Sequence, residues 1–124
     1  MSATLGTMLK KANPKLKIRV FERLSSVAAE SSNPWNNAGT GHSALCELNY
    51  MPDSEDGSLP DPAKAIAINE QFQMSRQFWA SLVGEGVLQN PETFIHRCPH
   101  MSFVTGSGEA DYLKRRHEVL ENLP

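Results

Sequence analysis

The sequence predicts an α/β fold from three of its segments. Residues 1–12 set Leu5, Met8, Leu9 and Ala12 at helical spacing, one apolar stripe on a polar segment. Residues 16–21 alternate instead, Leu16, Ile18 and Val20 against Lys17 and Arg19, with Phe21 extending the apolar run; that is the period of a strand. Residues 62–83 return to the helical period for roughly six turns. Helix and strand periods alternating in one chain indicate an α/β arrangement.

Taken in order, the first helix stops at Asn13-Pro14, because proline cannot continue the backbone ladder. Glu22-Arg23 closes the predicted strand with charge. Residues 25–42, SSVAAESSNPWNNAGTGH, are small and polar, suited to tight turns and close approach to a ligand. A helix is expected over about 40–50. The loop MPDSEDGSLPDP that follows is acidic and carries three prolines, so it is expected at the surface.

For helix 62–83, Asp61 suits the N-cap and Pro62 the first helical position. Ile68, Phe72, Ser75, Trp79 and Val83 share one face, which Ala65, Phe78 and Leu82 broaden, and Gly84 and Gly86 end the helix. Its length, roughly 33 Å, calls for a partner surface larger than so short a chain offers. Residues 100–105, HMSFVT, read as a short strand. Residues 109–121 read as a last helix with Tyr112, Leu113, Val119 and Leu120 as its apolar positions.

The bulk properties narrow the function. The chain has 124 residues, 40% apolar and 21% charged, with a formal net charge of −2. One small domain is the expectation, and nucleic-acid binding, which shows as a basic footprint, is not. No apolar run approaches the roughly 20 residues that span a bilayer. The opening MSATLGTMLKKANPK lacks the apolar stretch of a signal peptide. Cys46 and Cys98 are two and far apart, which argues against a disulfide framework and for a reduced, cytoplasmic setting.

The order helix, strand, acid matches part of a dinucleotide-binding βαβ unit, in which an acid about 20 residues after a Gly-rich turn accepts ribose hydroxyls. Glu22 sits where that acid belongs. Ser2 and Gly6, one helical turn apart, let a helix pack closely on a sheet. The first strand and first two glycines of that fingerprint are missing from the sequence. An ordinary helix followed by a strand ending in Glu fits the same residues.

Longer motifs are more specific. The stretch ESSNPWNNAGTGHSALCELNY (30–50) resembles the flavin-cradling segment of malate:quinone oxidoreductases. The likeness continues through INEQFQMSRQFWASLV (68–83) and PHMSFVTG (99–106) to YLKRRHEVL (112–120), in the family's order and over nearly the whole chain. The resemblance implies a partial, Rossmann-like FAD-binding domain over 1–124, with additional helices and the start of a substrate-side insertion. It implies oxidation of (S)-malate to oxaloacetate, with FAD as cofactor and a membrane quinone as acceptor, by a peripheral membrane protein of the tricarboxylic acid cycle. Family members are about four times longer, so the chain is expected to be an amino-terminal piece, inactive by itself. A small non-catalytic interaction module is the rival expectation.

Cofactor contacts are expected at Glu22 and Arg23, at the end of the predicted strand, and, within the stretch that carries the resemblance, at Ser31, Ser32, Asn37, Ala38, Gly39, Thr40, Gly41 and His42. Ser31 and Ser32 offer hydroxyls to phosphate oxygens, and the amides of Ala38 to Gly41 can form an anion nest. A helix starting near Thr40 would add its positive end. A Ser/Asn/Gly surface loop before a helix cap fits the same residues. His42 reads either as a group beside the flavin ring or as a structural histidine.

Arg76, Arg97, Arg115 and Arg116 are candidates for malate's carboxylates without a basis for choosing one, and Arg115 and Arg116 read as solvated. No catalytic residue is assigned. His96, Cys98 and His100 alternate, but a zinc site lacks a clear fourth ligand, and no metal is expected. Phe72, Phe78 and Trp79 read as core rather than as a quinone or membrane patch.

Overall fold

Among the described residues three α-helices carry the regular structure: α1, Ser2–Ala12; α2, Ala63–Gly84; and α3, Ser107–Glu121. The computed structural model describes residues 2–39, 41, 43, 44 and 47–123. The chain divides into two compact units, Met1–Gly39 and Thr40–Pro124.

In the first unit α1 follows the predicted stripe, but Leu5, Met8 and Leu9 remain 40–58% exposed. The turn after it is held locally. The Asn13 amide bonds Leu9 O at 2.9 Å and the Leu16 amide bonds Asn13 O at 3.1 Å. Lys10 Nζ then donates to Pro14 O at 2.7 Å and Leu16 O at 2.8 Å, so a basic last-turn side chain ties the descending backbone. A Cβ built on Gly6 would lie 4.0 Å from Ile18, which places residues 16–21 back alongside α1 at the small residue.

Those residues do not form the expected strand, and neither do 100–105; among the described residues there is no β-ladder at all. Alternating apolar residues give a chain a face, but a strand exists only through bonds to a neighbouring strand. The α/β expectation is therefore met in its helices and not in a sheet. Leu16, Ile18 and Val20 are 38–60% exposed. Among the described residues of this unit none is buried.

The second unit has a core. Ala44, Met51 and Ala65 are buried at its centre, and Tyr50, Ile68, Val119 and Leu120 pack against them, so α2 and α3 both contribute. α2 begins one residue later than expected. Pro62 takes the N-cap position, and the Asp61 carboxylate accepts the Ala63 amide at 3.0 Å. Its end is a Schellman turn. The Gly86 amide reaches Val83 O at 3.0 Å and the Val87 amide reaches Leu82 O at 2.9 Å, with Gly86 at φ 72°. α3 starts two residues earlier than expected, and Glu109 reaches back to the Thr105 amide at 3.1 Å.

The helix expected over 40–50 shrinks to one 3₁₀ turn, Leu48–Tyr50; residues 40, 42, 45 and 46 lie outside the described residues. Ala44 has φ 67°, a left-handed conformation that no α-helix interior accommodates. In the loop after that turn, Ser54 Oγ donates to Ser58 O at 2.5 Å. The hydroxyl and amide of Ser58 hold the Asp56 carboxyl below its ordinary pKa.

α3 grips the segment before α2 with three side chains. The Tyr112 hydroxyl lies 2.6 Å from Met51 O and 3.2 Å from Leu48 O. Arg116, only 6% exposed, donates from Nη2 to Ala44 O at 3.3 Å. Arg115 pairs with Asp53 at 2.5 Å. Both arginines thus depart from the solvated face expected of them: they sit at helical spacing with Tyr112 and donate to a carbonyl and a carboxylate oxygen of the preceding segment. Burial raises the Tyr112 pKa, the Arg116 charge opposes the rise and Asp53 adds to it. The phenol therefore stays a donor at neutral pH.

Candidate cofactor site

The Ser/Asn/Gly loop at 30–39 ties itself with side-chain amides. Asn36 Nδ2 donates to Glu30 O at 2.9 Å. Asn37 Nδ2 donates to Ser31 O at 2.8 Å and Asn33 O at 2.9 Å, while its Oδ1 accepts the Gly39 amide at 2.7 Å. Asn33 Oδ1 accepts the Trp35 amide at 2.9 Å. Asparagine supplies both a donor pair and an acceptor on a short stem, so it can replace backbone pairing in a turn. Gly39 follows at φ 62°, where a side chain would be strained.

Among the expected cofactor residues, the structure joins Asn37 to Ser31 and to Gly39. Ala38 and Ser32 are exposed on the same loop. Arg23 pairs with Glu30, both ends open to solvent. Glu22 turns one oxygen inward to its own turn, accepting the Leu24 amide at 2.9 Å. Gly41 belongs to the second unit, and its backbone stands against Phe72: an added Cβ would come within 3.1 Å of Phe72 Cε2. Thr40 and His42 lie outside the described residues.

Two details alter the expected nest. The Gly39 amide is engaged by Asn37, so it is not aimed outward. Among the described residues between Gly39 and Leu48 no helix begins, so they show no helix end for the nest. Asn33 and Asn36 do not stand out in the sequence as binding residues; their signal is the density of Asn at 33, 36 and 37 just before a glycine.

The donor set nonetheless suits a nucleotide. Exposed hydroxyls, backbone amides and a glycine in the left-handed region fit a phosphate, and a carboxylate fits ribose hydroxyls. Outside this loop, His96, Cys98 and His100 are exposed, and His100 Nε2 lies 2.9 Å from Ser102 Oγ. Among the described residues no three His, Cys, Asp or Glu side chains converge as metal ligands. Nor is any helix among them long and apolar enough to cross a membrane.

Comparison with known proteins gives one consistent result. The sequence profile described as "Malate:quinone oxidoreductase (Mqo)" matches residues 1–124. A probable malate:quinone oxidoreductase of Leifsonia xyli subsp. xyli is 64% identical over 124 residues, all of this chain and 25% of the relative. Proteins of the same name from Flavobacterium psychrophilum (59% over 123 residues, 99% of this chain and 25% of the relative) and Geobacillus sp. strain WCH70 (59% over 124 residues, 100% of this chain and 24% of the relative) agree. The chain thus spans about a quarter of the length of these relatives. No solved structure matches. With its profile matched from first residue to last, the chain belongs to the malate:quinone oxidoreductase family.

Proposed function

We propose that this chain supplies part of the flavin site of an enzyme that oxidises (S)-malate to oxaloacetate and reduces a quinone, within a peripheral membrane protein of the tricarboxylic acid cycle. The observation that carries the reading is the family match, which includes the whole Glu30–Tyr50 stretch. In that reading the chain forms a partial, Rossmann-like FAD-binding domain whose α1 and residues 16–22 lie on the adenosine side. The reaction is a two-electron exchange: malate gives up two electrons and two protons, and the quinone takes up the same number to become the quinol. FAD when bound supplies the hydride acceptor that links the two halves.

The chain's own residues bind and orient. Ser31 and Ser32 donate hydroxyls to phosphate oxygens, and Asn37, by fixing Ser31 and Gly39 in one turn, keeps those donors in register. Within its own loop the Ala38 amide adds a further anion contact. Arg23 adds positive charge, and the role proposed for His42 is to tune the flavin's charge. Glu22 accepts ribose hydroxyls with the oxygen not used by Leu24.

The test is Glu22→Ala, with this sequence carried in a protein of the relatives' length. Charge-assisted hydrogen bonds contribute roughly 1.5–3 kcal/mol each, so FAD binding is expected to weaken by about tenfold or more. Equal dissociation constants for parent and variant reject the ribose role. The absence of malate-dependent quinone reduction in the parent of that length would reject the activity itself.

A further inference from the structure

The groove between α2 and the segment after it is unassigned by the reading above. Arg76, Trp79 and Val83 line it from α2, and Pro91, Phe94 and Ile95 line it from the other side, around a cavity of about 350 Å³. The second wall is built by Asn90, whose left-handed φ of 47° turns the chain into the 3₁₀ turn Pro91–Thr93. Trp79 and Phe94 meet edge to face, their centroids 6.1 Å apart at 82°, and Phe94 stays 42% exposed.

The chemistry of these walls selects a ligand. A cavity near the lower end of the roughly 300–1,000 Å³ range of small-molecule sites, apolar with one polar group, takes a small flat molecule. Two aromatic rings in edge-to-face contact favour an aromatic or quinonoid ring beside them. Arg76 gives one N–H to Gln73 Oε1 at 3.1 Å, and a guanidinium carries further donors, which suit a carbonyl oxygen on the ring. No carboxylate lines the groove, so a cation is disfavoured, and its apolar walls with a single arginine disfavour a phosphate.

Its place on α2 matters as well. Gly41 of the same unit lies against Phe72. Arg76 is one helical turn beyond Phe72 and Trp79 is seven residues beyond it, roughly 6 and 10 Å along the axis. We infer that this groove receives the ring of the quinone acceptor, with Trp79 and Phe94 against the ring and Arg76 donating to a carbonyl oxygen. The inference rests on the proposed function for its acceptor, a quinone.

The test uses the full chain and its two tryptophans. Trp35→Phe leaves Trp79 as the only reporter; Trp79→Phe leaves Trp35, which is 95% exposed, as the reference. The probe is tetramethyl-1,4-benzoquinone, whose ring has no open position for the exposed Cys98 thiol to attack. Trp79 fluorescence is expected to quench saturably, whereas Trp35 quenches linearly by collision. Arg76→Met and Phe94→Ala are each expected to raise the apparent dissociation constant at least fivefold, with far-UV circular dichroism unchanged. Linear quenching of Trp79 with the slope of Trp35 overturns the inference, whether the groove is covered, unformed or indifferent to quinones. Saturable quenching that neither variant alters overturns it too. Neither FAD nor malate enters this titration, so its outcome is independent of the Glu22 experiment.

Discussion

Replacing Tyr112 by Phe removes one oxygen and keeps the buried ring. The hydroxyl it removes lies 2.6 Å from the carbonyl of Met51, a residue with 0% exposure. Leu48 O, at 3.2 Å, loses its weaker share of the same donor. A buried acceptor left without a partner costs roughly 1–3 kcal/mol, and the lower half of that range is apt because the Tyr112 side chain reaches the edge of the core. With a urea slope of about 1–3 kcal/mol per molar for a small protein, a loss near ~1.5 kcal/mol moves the midpoint down by about 1 M. The assay is equilibrium urea unfolding of parent and Tyr112→Phe followed by far-UV circular dichroism. Equal slopes with midpoints within about 0.2 M of each other would refute the claim that this hydroxyl holds the 48–51 turn.

Three further outcomes follow from the same geometry. The Tyr112 pKa is raised by burial, so the folded state binds its proton more tightly than the unfolded state does. That contribution is whole below the unfolded value of about 10 and is lost as pH rises through the folded value; thermal melts at alkaline pH should fall more steeply for the parent than for Tyr112→Phe. Gly86→Ala forces a left-handed alanine at φ 72° into a position where an added Cβ meets no atom within 4 Å; the cost is backbone strain alone, about 1–2 kcal/mol, and Gly86→Asn should recover part of it in the same urea assay. The chain alone is expected to keep no stoichiometric flavin spectrum after mixing with FAD and desalting, and to show no malate-dependent dye reduction, because none of the described residues in 2–39 is buried.

The helices were legible because their signals are local. A 3.6-residue stripe, an Asp before a Pro and a Gly after the last apolar turn placed α2 within one residue of its observed ends. The strands were misread because their evidence is only half local: Leu16, Ile18 and Val20 alternate as a strand should, but pairing depends on residues elsewhere. The segment 40–50 misled for a different reason. Its composition suits a helix, and nothing local betrays that Ala44 adopts φ 67°. In α3, Tyr112 was rightly placed on the apolar face, while Arg115 and Arg116 looked solvated because charge normally marks the outer face. Their partners, Asp53 and Ala44 O, lie more than sixty residues earlier. On the loop at 30–39, Asn37 and Gly39 are legible in the sequence as candidates; the structure adds how Asn37 joins Ser31, Asn33 and Gly39 in one turn.

The grip of α3 on residues 44–53 also sets an order of events in time. Its contacts span separations of 61, 62, 64 and 72 residues. Helices form within about a microsecond, so α2 can be complete long before α3 docks, and closing so long a loop is the slow entropic step. During synthesis at about 5–20 residues per second, the Met51 carbonyl precedes the Tyr112 hydroxyl by roughly 3–12 s. For that interval the half-made core around Met51 and Ala65 is open to water and to other chains. A ribosome paused shortly before residue 107 would hold it in its most aggregation-prone form.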